Sequence, residues 1–176
     1  MRRAGFADFA WVIDLIDRNR AEAIPAEERG ARGFVQGQWD ADVLERLSSG
    51  PGIFIAEVDG SRAGFAVTSA AGAIPSGPAG RTNELAAASF PDAAFFLYGP
   101  VVVDDAFRRR GVLQALVSHL GQELQDRYAV AIAFVEESNQ ASMAAHARVG
   151  FEGFASFEHE GRSFGALALT LDKRVT

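Results

Sequence analysis

The stretch from Asp104 to Gln114 reads Asp-Asp-Ala-Phe-Arg-Arg-Arg-Gly-Val-Leu-Gln and follows the apolar run Val101-Val102-Val103. A strand that enters a turn with glycine at a helix start is an arrangement suited to phosphate. The first N–H groups of a helix lack intrahelical acceptors. They point outward together, and the helix dipole adds partial positive charge. Glycine at the entry, here Gly111, lets an anion come close to the backbone. Arg108, Arg109 and Arg110 add positive charge. The plain alternative is a solvated arginine run before an ordinary helix. The stretch is not a Walker motif, because no Gly-Lys-Ser/Thr follows, and it is not the dinucleotide G-x-G-x-x-G.

A second group of residues follows the apolar run Ala129–Val135. It reads Glu136-Glu137-Ser138-Asn139-Gln140-Ala141-Ser142-Met143-Ala144-Ala145-His146-Ala147-Arg148-Val149-Gly150-Phe151. Histidine titrates near neutral pH, so His146 is suited to giving or taking a proton. Its plain alternative is a histidine that packs or caps on this helix. Glu136 and Glu137 end a strand, and alternation sends their side chains to opposite faces. One of them, with Glu137 as the candidate carried forward, is suited to act as general base. The alternative is a pair of solvated charges. Tyr98, just before Gly99-Pro100, is a further candidate to line a site, or else a core tyrosine. His119 and His159 are scattered, without the paired spacing of a metal site. The chain has no cysteine, which excludes thiolate ligands, disulfides and a cysteine nucleophile.

The elements that must hold these residues follow from periodicity. Phe9, Val12, Ile13 and Ile16 share one helical face, which predicts a helix over 7–20. Residues 21–38 read as irregular. Asp40 is placed to cap a short helix carrying Val43, Leu44 and Leu47. Residues 53–58 and 63–68 form a hairpin around Asp59-Gly60. The Gly, Pro and Ser of residues 72–82 predict a loop, with a helical turn or two over 83–90. A buried strand over 93–103, a helix over 110–127 and a strand over 129–135 make a parallel βαβ unit. A helix over 139–149 closes at Gly150. A last hairpin joins 151–159 to 162–171. The fold class expected is mixed α/β, with a mostly antiparallel sheet, a central parallel βαβ unit and flanking helices.

At 176 residues the chain is expected to be one domain. Its hydrophobic share of 48% argues against disorder. No apolar run reaches the roughly 20 residues of a membrane span. Residues 4–8 lack the apolar stretch of a signal peptide, so a cytoplasmic location is expected. The net charge of −6 speaks against nucleic-acid binding and sits more easily with a cationic substrate such as an amine. Three arginines without an aromatic platform do not make an RNA site.

The stretch from Arg108 resembles the motif R/Q-x-x-G-x-G/A of the GNAT acyltransferases. Arg108 fills its first position and Gly111 its fourth, while Leu113 stands at the sixth in place of Gly or Ala. The stretch from Asn139 resembles the family's N-x-x-A-x-x-L-Y-x-x-x-G-F signature. Asn139, Gly150 and Phe151 match; Ser142, Ala145 and His146 replace the family's Ala, Leu and Tyr. The resemblance implies a GNAT-like domain over 1–176 using acetyl-CoA or another acyl-CoA as co-substrate, with no metal. It implies that the N–H groups of Arg109, Arg110, Gly111, Val112, Leu113 and Gln114 hold the CoA pyrophosphate, with Arg108 beside them. It also implies that Val101, Val102 and Val103 meet the pantetheine arm, that Asn139 and Ser142 contact it, and that His146 protonates the departing thiolate.

The expected activity is N-acyl transfer to a small-molecule or peptide amine. The alternative is a catalytically weak acyl-CoA sensor. The long segment 73–93 and the residues around Gly33–Trp39 are expected to shape the acceptor site, or else to meet a second subunit in a homodimer.

Overall fold

Ile53–Ala56 and Phe65–Val67 of the first hairpin are unbroken apolar runs, so its strands must be covered on both sides. The computed structural model, which describes residues 1–171, shows how that is done. Strand β2 (Ile53–Val58) turns Ile53 and Ile55 toward the helices α1 (Phe9–Arg18) and α3 (Ala41–Ser48), where Val12, Ile16 and Leu44 are fully buried. Its Phe54 and Ala56 face the opposite layer, built on helix α5 (Val112–Leu124) with Leu116, Leu120 and Leu124. Removing this apolar surface from water is the main force holding the layers. Asp40 caps α3 as its type predicts, accepting from the Val43 N–H at 2.8 Å.

Seven strands form one sheet, in the order β1-β2-β3-β4-β5-β7-β6. The remaining strands are β1 (Arg2–Arg3), β3 (Ser61–Ala70), β4 (Phe95–Val103), β5 (Val130–Glu136), β6 (Glu152–His159) and β7 (Arg162–Thr170). All neighbours are antiparallel except β4 and β5. The parallel pair, predicted from the βαβ pattern, is short: Phe95, Phe96 and Leu97 lie opposite Val130, Ala131 and Ile132. Beyond these, β5 stays bonded to β7 as far as Glu136, and β4 stays bonded to β3 as far as Val103. The carboxyl ends of β4 and β5 therefore part, which is where an open α/β sheet leaves room for a ligand. A register shift in β4 leaves Gly99 and Pro100 between the pairs Thr68–Tyr98 and Ala66–Val101. Proline has no N–H to give a ladder, so it fits at such a bulge.

The segment 72–82 is not the loop its composition predicts. Helix α4 (Gly77–Ser89) begins there, with Pro78 in its first turn, where a missing N–H costs nothing. Its buried face is made of Ala79, Gly80, Thr82 and Ala86, so no apolar stripe marks it in the sequence. Gly80 is required: a Cβ there would lie 2.3 Å from the Pro75 carbonyl oxygen. Ala86 packs on Val130 and Ile132, and Phe90 meets Phe154 edge to face. Residues 21–38 are likewise less irregular than expected, because Arg29–Arg32 form one turn of helix, α2. The last helix is α6 (Gln140–Arg148), closed by Gly150 at φ 97°. Among the described residues no helix is long and apolar enough to cross a membrane.

Candidate active site

The parting of β4 and β5 opens into a cleft of about 950 Å³. Its floor is the end of β4, with Val101, Val102 and Val103. One wall is the turn and first residues of α5; another is the face of α6 carrying Ser142, Ala145 and His146; a third is the backbone from Gly30 to Val35.

The α5 wall is a donor cradle. Gly111 is the N-cap, in the left-handed region at φ 77°, and Arg109 is also left-handed at φ 60°. The first helical bond runs from the Ala115 N–H to the Gly111 carbonyl, 3.0 Å. The N–H groups of Gly111, Val112, Leu113 and Gln114 find no protein acceptor among the described residues. Leu113 lines the cleft with part of its side chain, yet packs against the α5 core, so its bulk is partly taken up below the cradle. Along the cleft as a whole the ionised side chains are Arg32, Arg108, Arg109 and Arg148 against Asp105. In a chain of net charge −6 that is a local excess of positive charge. Arg109 and Arg148 have no carboxylate partner among the described residues, whereas Arg110 lies over the Phe107 ring at 5.3 Å and does not line the cleft.

Arg108 points away from the cradle. Its guanidinium meets Asp105 at 2.9 Å and donates to the carbonyls of Val103 and Arg32 and to Asn19 Oδ1. Asn139 is buried at the start of α6. Its Oδ1 accepts from the Ser142 N–H at 3.3 Å, and its Nδ2 donates to the Phe34 carbonyl at 2.8 Å.

His146 lies on the α6 wall, only 5% exposed. Its Nδ1 is 2.8 Å from the Ser142 carbonyl, which can only accept, so Nδ1 carries the proton and Nε2 the lone pair. Burial pushes its pKa below the usual histidine value, against a smaller opposing effect of the Ser142 hydrogen bond. A neutral imidazole takes a proton first. Tyr98 lies beneath, 5.7 Å from the His146 ring and 5.2 Å from Phe151 between centroids. Its hydroxyl is buried without a partner among the described residues, and burial raises its pKa. It does not line the cleft.

Glu137 does not line the cleft either. It opens onto a separate shallow pocket with Ser156, Glu158 and Ser163. Its neighbour Glu136 is held by Gln36, Ser138 and Arg162. No residue of 73–93 lines the cleft, because α4 lies against β5 and β6 on the other face of the sheet. Around 33–39, by contrast, Gly33, Phe34 and Val35 do line it. Sequence reasoning missed Asn19, Arg32 and Arg148. The glycines at 30 and 33, which let this backbone run close to α6, were the available signal. His119 meets Phe54 edge to face, and His159 sits 3.9 Å from Glu160; neither enters the cleft. Among the described residues no three His, Asp or Glu side chains converge as a metal site.

The chain matches the acetyltransferase (GNAT) family over residues 18–151. Solved structures share its fold. The ribosomal-protein-S18-alanine N-acetyltransferase of Escherichia coli superposes with a TM-score of 0.64 at 17% identity, covering 98% of this chain and 93% of that one. A Salmonella typhimurium protein solved with its cofactor acetyl-CoA gives 0.63 at 18%, covering 99% and 95%. The ribosomal-protein-alanine N-acetyltransferase of Brucella melitensis gives 0.63 at 19%, covering 97% and 98%. No curated protein matches the chain. With three quarters of its length inside the family pattern and the donor cradle at the parted strands, the chain belongs to the GNAT acetyltransferase family.

Proposed function

We propose that the chain moves an acetyl, or another short acyl, group from acyl-CoA to an amine by direct attack. The observation that carries this reading is the cradle of free N–H groups from Gly111 to Gln114, set beside Arg109 and Arg148. A diphosphate needs several donors and positive charge in one place, and a helix N-terminus supplies both. The long, largely apolar cleft floor at Val101–Val103 suits a pantetheine arm. Its backbone donors are suited to the oxyanion that develops on the thioester carbonyl.

The amine nitrogen forms a bond to the thioester carbon, and the C–S bond then breaks. Two proton transfers go with this. His146 Nε2, held with its lone pair free, takes a proton from the attacking nitrogen. The resulting imidazolium gives that proton to the leaving thiolate. One residue thus serves as base and then as acid, and no carboxylate is needed. Asp105 is unsuited to the task because it is paired with both Arg32 and Arg108. A single general acid–base group contributes about 100- to 10,000-fold in rate. His146→Gln is therefore expected to lower kcat within that range while leaving acetyl-CoA affinity nearly unchanged. Equal kcat in the variant would overturn the shuttle.

Two of the neighbours named above are ribosomal-protein-alanine N-acetyltransferases, which keeps a peptide amine beside a small-molecule amine as acceptor class. A second reading, an acyl-CoA-binding module with little turnover, is favoured by one observation: both Glu137 and the Tyr98 hydroxyl stand outside the cleft. CoA release across a panel of amines separates the two readings. Turnover supports the enzyme, and tight binding without turnover supports the module.

A further inference from the structure

The two sequence motifs of the cleft converge on one strap of backbone, Arg29–Val35. Arg108 donates from Nη1 to the Arg32 carbonyl and from Nη2 to Asn19 Oδ1, each at 3.0 Å. The backbone carbonyl of Asn19 accepts from the Val35 N–H at 2.8 Å, while its side-chain amide donates to the Leu15 carbonyl. Asn139 holds the middle of the strap through the Phe34 carbonyl at 2.8 Å. Gly33 makes the close approach possible: it is left-handed at φ 79°, and a Cβ there would sit 3.3 Å from Asn139 Oδ1.

These polar groups are spent on the protein. All three guanidinium nitrogens of Arg108 have partners, and both ends of the Asn139 amide are used. Asn19 and Asn139 are 5% and 4% exposed. Buried amides bonded to protein at both the oxygen and the nitrogen hold geometry. The strap they hold is one wall of the cleft, distinct from the donor cradle.

We propose that Arg108 and Asn139 are positioning residues, which hold the 29–35 strap as the acceptor-side wall and add little to acyl-CoA affinity. The word acceptor rests on the acyl-transfer reading above. The resemblance implied instead that both residues belong to the CoA site. The two assignments differ in what each variant should change.

Asn139→Ser isolates the effect. Serine is as good an N-cap as asparagine, so α6 keeps its start. It is too short to reach Phe34. Arg108→Lys is the second variant: it keeps the charge beside Asp105 and loses the two-pronged hold on Arg32 and Asn19. The wild type and both variants are compared by calorimetry with acetyl-CoA and by amide hydrogen exchange. The expected result is an acetyl-CoA Kd within about twofold of wild type. Exchange at Val35 should be faster by about five- to tenfold, the worth of one hydrogen bond, with α5 and α6 unchanged. With an alanine-led peptide as amine probe, KM for the peptide rises while KM for acetyl-CoA does not. An acetyl-CoA Kd weakened tenfold or more overturns the proposal, whatever the exchange shows. Unchanged exchange at Val35 overturns it too. If the wild type does not bind acetyl-CoA at all, the acyl-transfer reading fails, and the exchange data alone decide whether these residues hold the strap.

Discussion

His146 Nδ1 lies 2.8 Å from the carbonyl oxygen of Ser142, one turn earlier in the same helix. The contact fixes the tautomer of a ring that is almost wholly out of water. It also decides which ring nitrogen keeps its lone pair, Nε2.

The pH dependence of that histidine has a definite sign. Its pKa in the folded chain is below 6.5, so the unfolded chain holds the proton more tightly. Stability therefore rises with pH through the window below 6.5 and is lost as pH falls. Acid titration followed by circular dichroism should show a shallower loss over that window in His146→Gln. The wild-type kcat/KM should carry an acid limb below 6.5 that the variant lacks. A wild-type limb above 6.5 would contradict the buried, neutral ring.

Gly111→Asp should abolish acetyl-CoA binding while leaving a folded chain. Gly111 sits at φ 77° with open space where a Cβ would stand, so the penalty is conformational rather than steric. A left-handed non-glycine residue costs about 1–2 kcal/mol. The new carboxylate would stand against the free N–H groups of α5. Thermal unfolding checks the first effect, and calorimetry the second.

Ala86→Leu tests where the segment 73–93 belongs. Ala86 is fully buried between α4 and the sheet. Overpacking there should cost about 1–3 kcal/mol of stability. Acetyl-CoA affinity should stay the same, because the segment lies away from the cleft. A changed Kd at constant fold would return this segment to the site.

Asp8 anchors the other end of the sheet. Arg2 donates to it at 2.6 and 2.8 Å, and these bonds, assisted by the Gly5 N–H, outweigh the effect of burial and hold its pKa at about 2. The stability this adds is present above 3.8 and is lost as pH falls toward 2. Asp8→Asn should lower stability by about 2 kcal/mol at neutral pH. Urea unfolding at neutral pH and at pH 3 checks this: the difference between the two proteins should shrink in acid.

Much of this architecture was legible because its elements carry strong periodicity or strong punctuation. Val12 and Ile16 mark α1, Asp40 starts α3, and Asp59-Gly60 and Glu160-Gly161 make the two hairpin turns, all with left-handed backbone. Helix α4 was read only in its second half, over 83–90; its first half was illegible because it buries Ala79, Gly80 and Thr82, residues that leave no apolar stripe, and because Pro78 reads as a breaker unless its place in the first turn is known. In the cleft, the glycine entry to α5 was readable from local order along the chain. The direction of Arg108 and Asn139 was not. Both are held by residues far away in sequence, Arg32 and Phe34, and only the tertiary fold brings those carbonyls within reach.

The central claim is that the α5 cradle binds the phosphates of an acyl-CoA. Calorimetry with acetyl-CoA, wild type beside Gly111→Asp, tests it most directly. Micromolar binding by the wild type, absent in the variant, is the predicted result. Failure of the wild type to bind acetyl-CoA or longer acyl-CoAs, or equal binding by the variant, would contradict it.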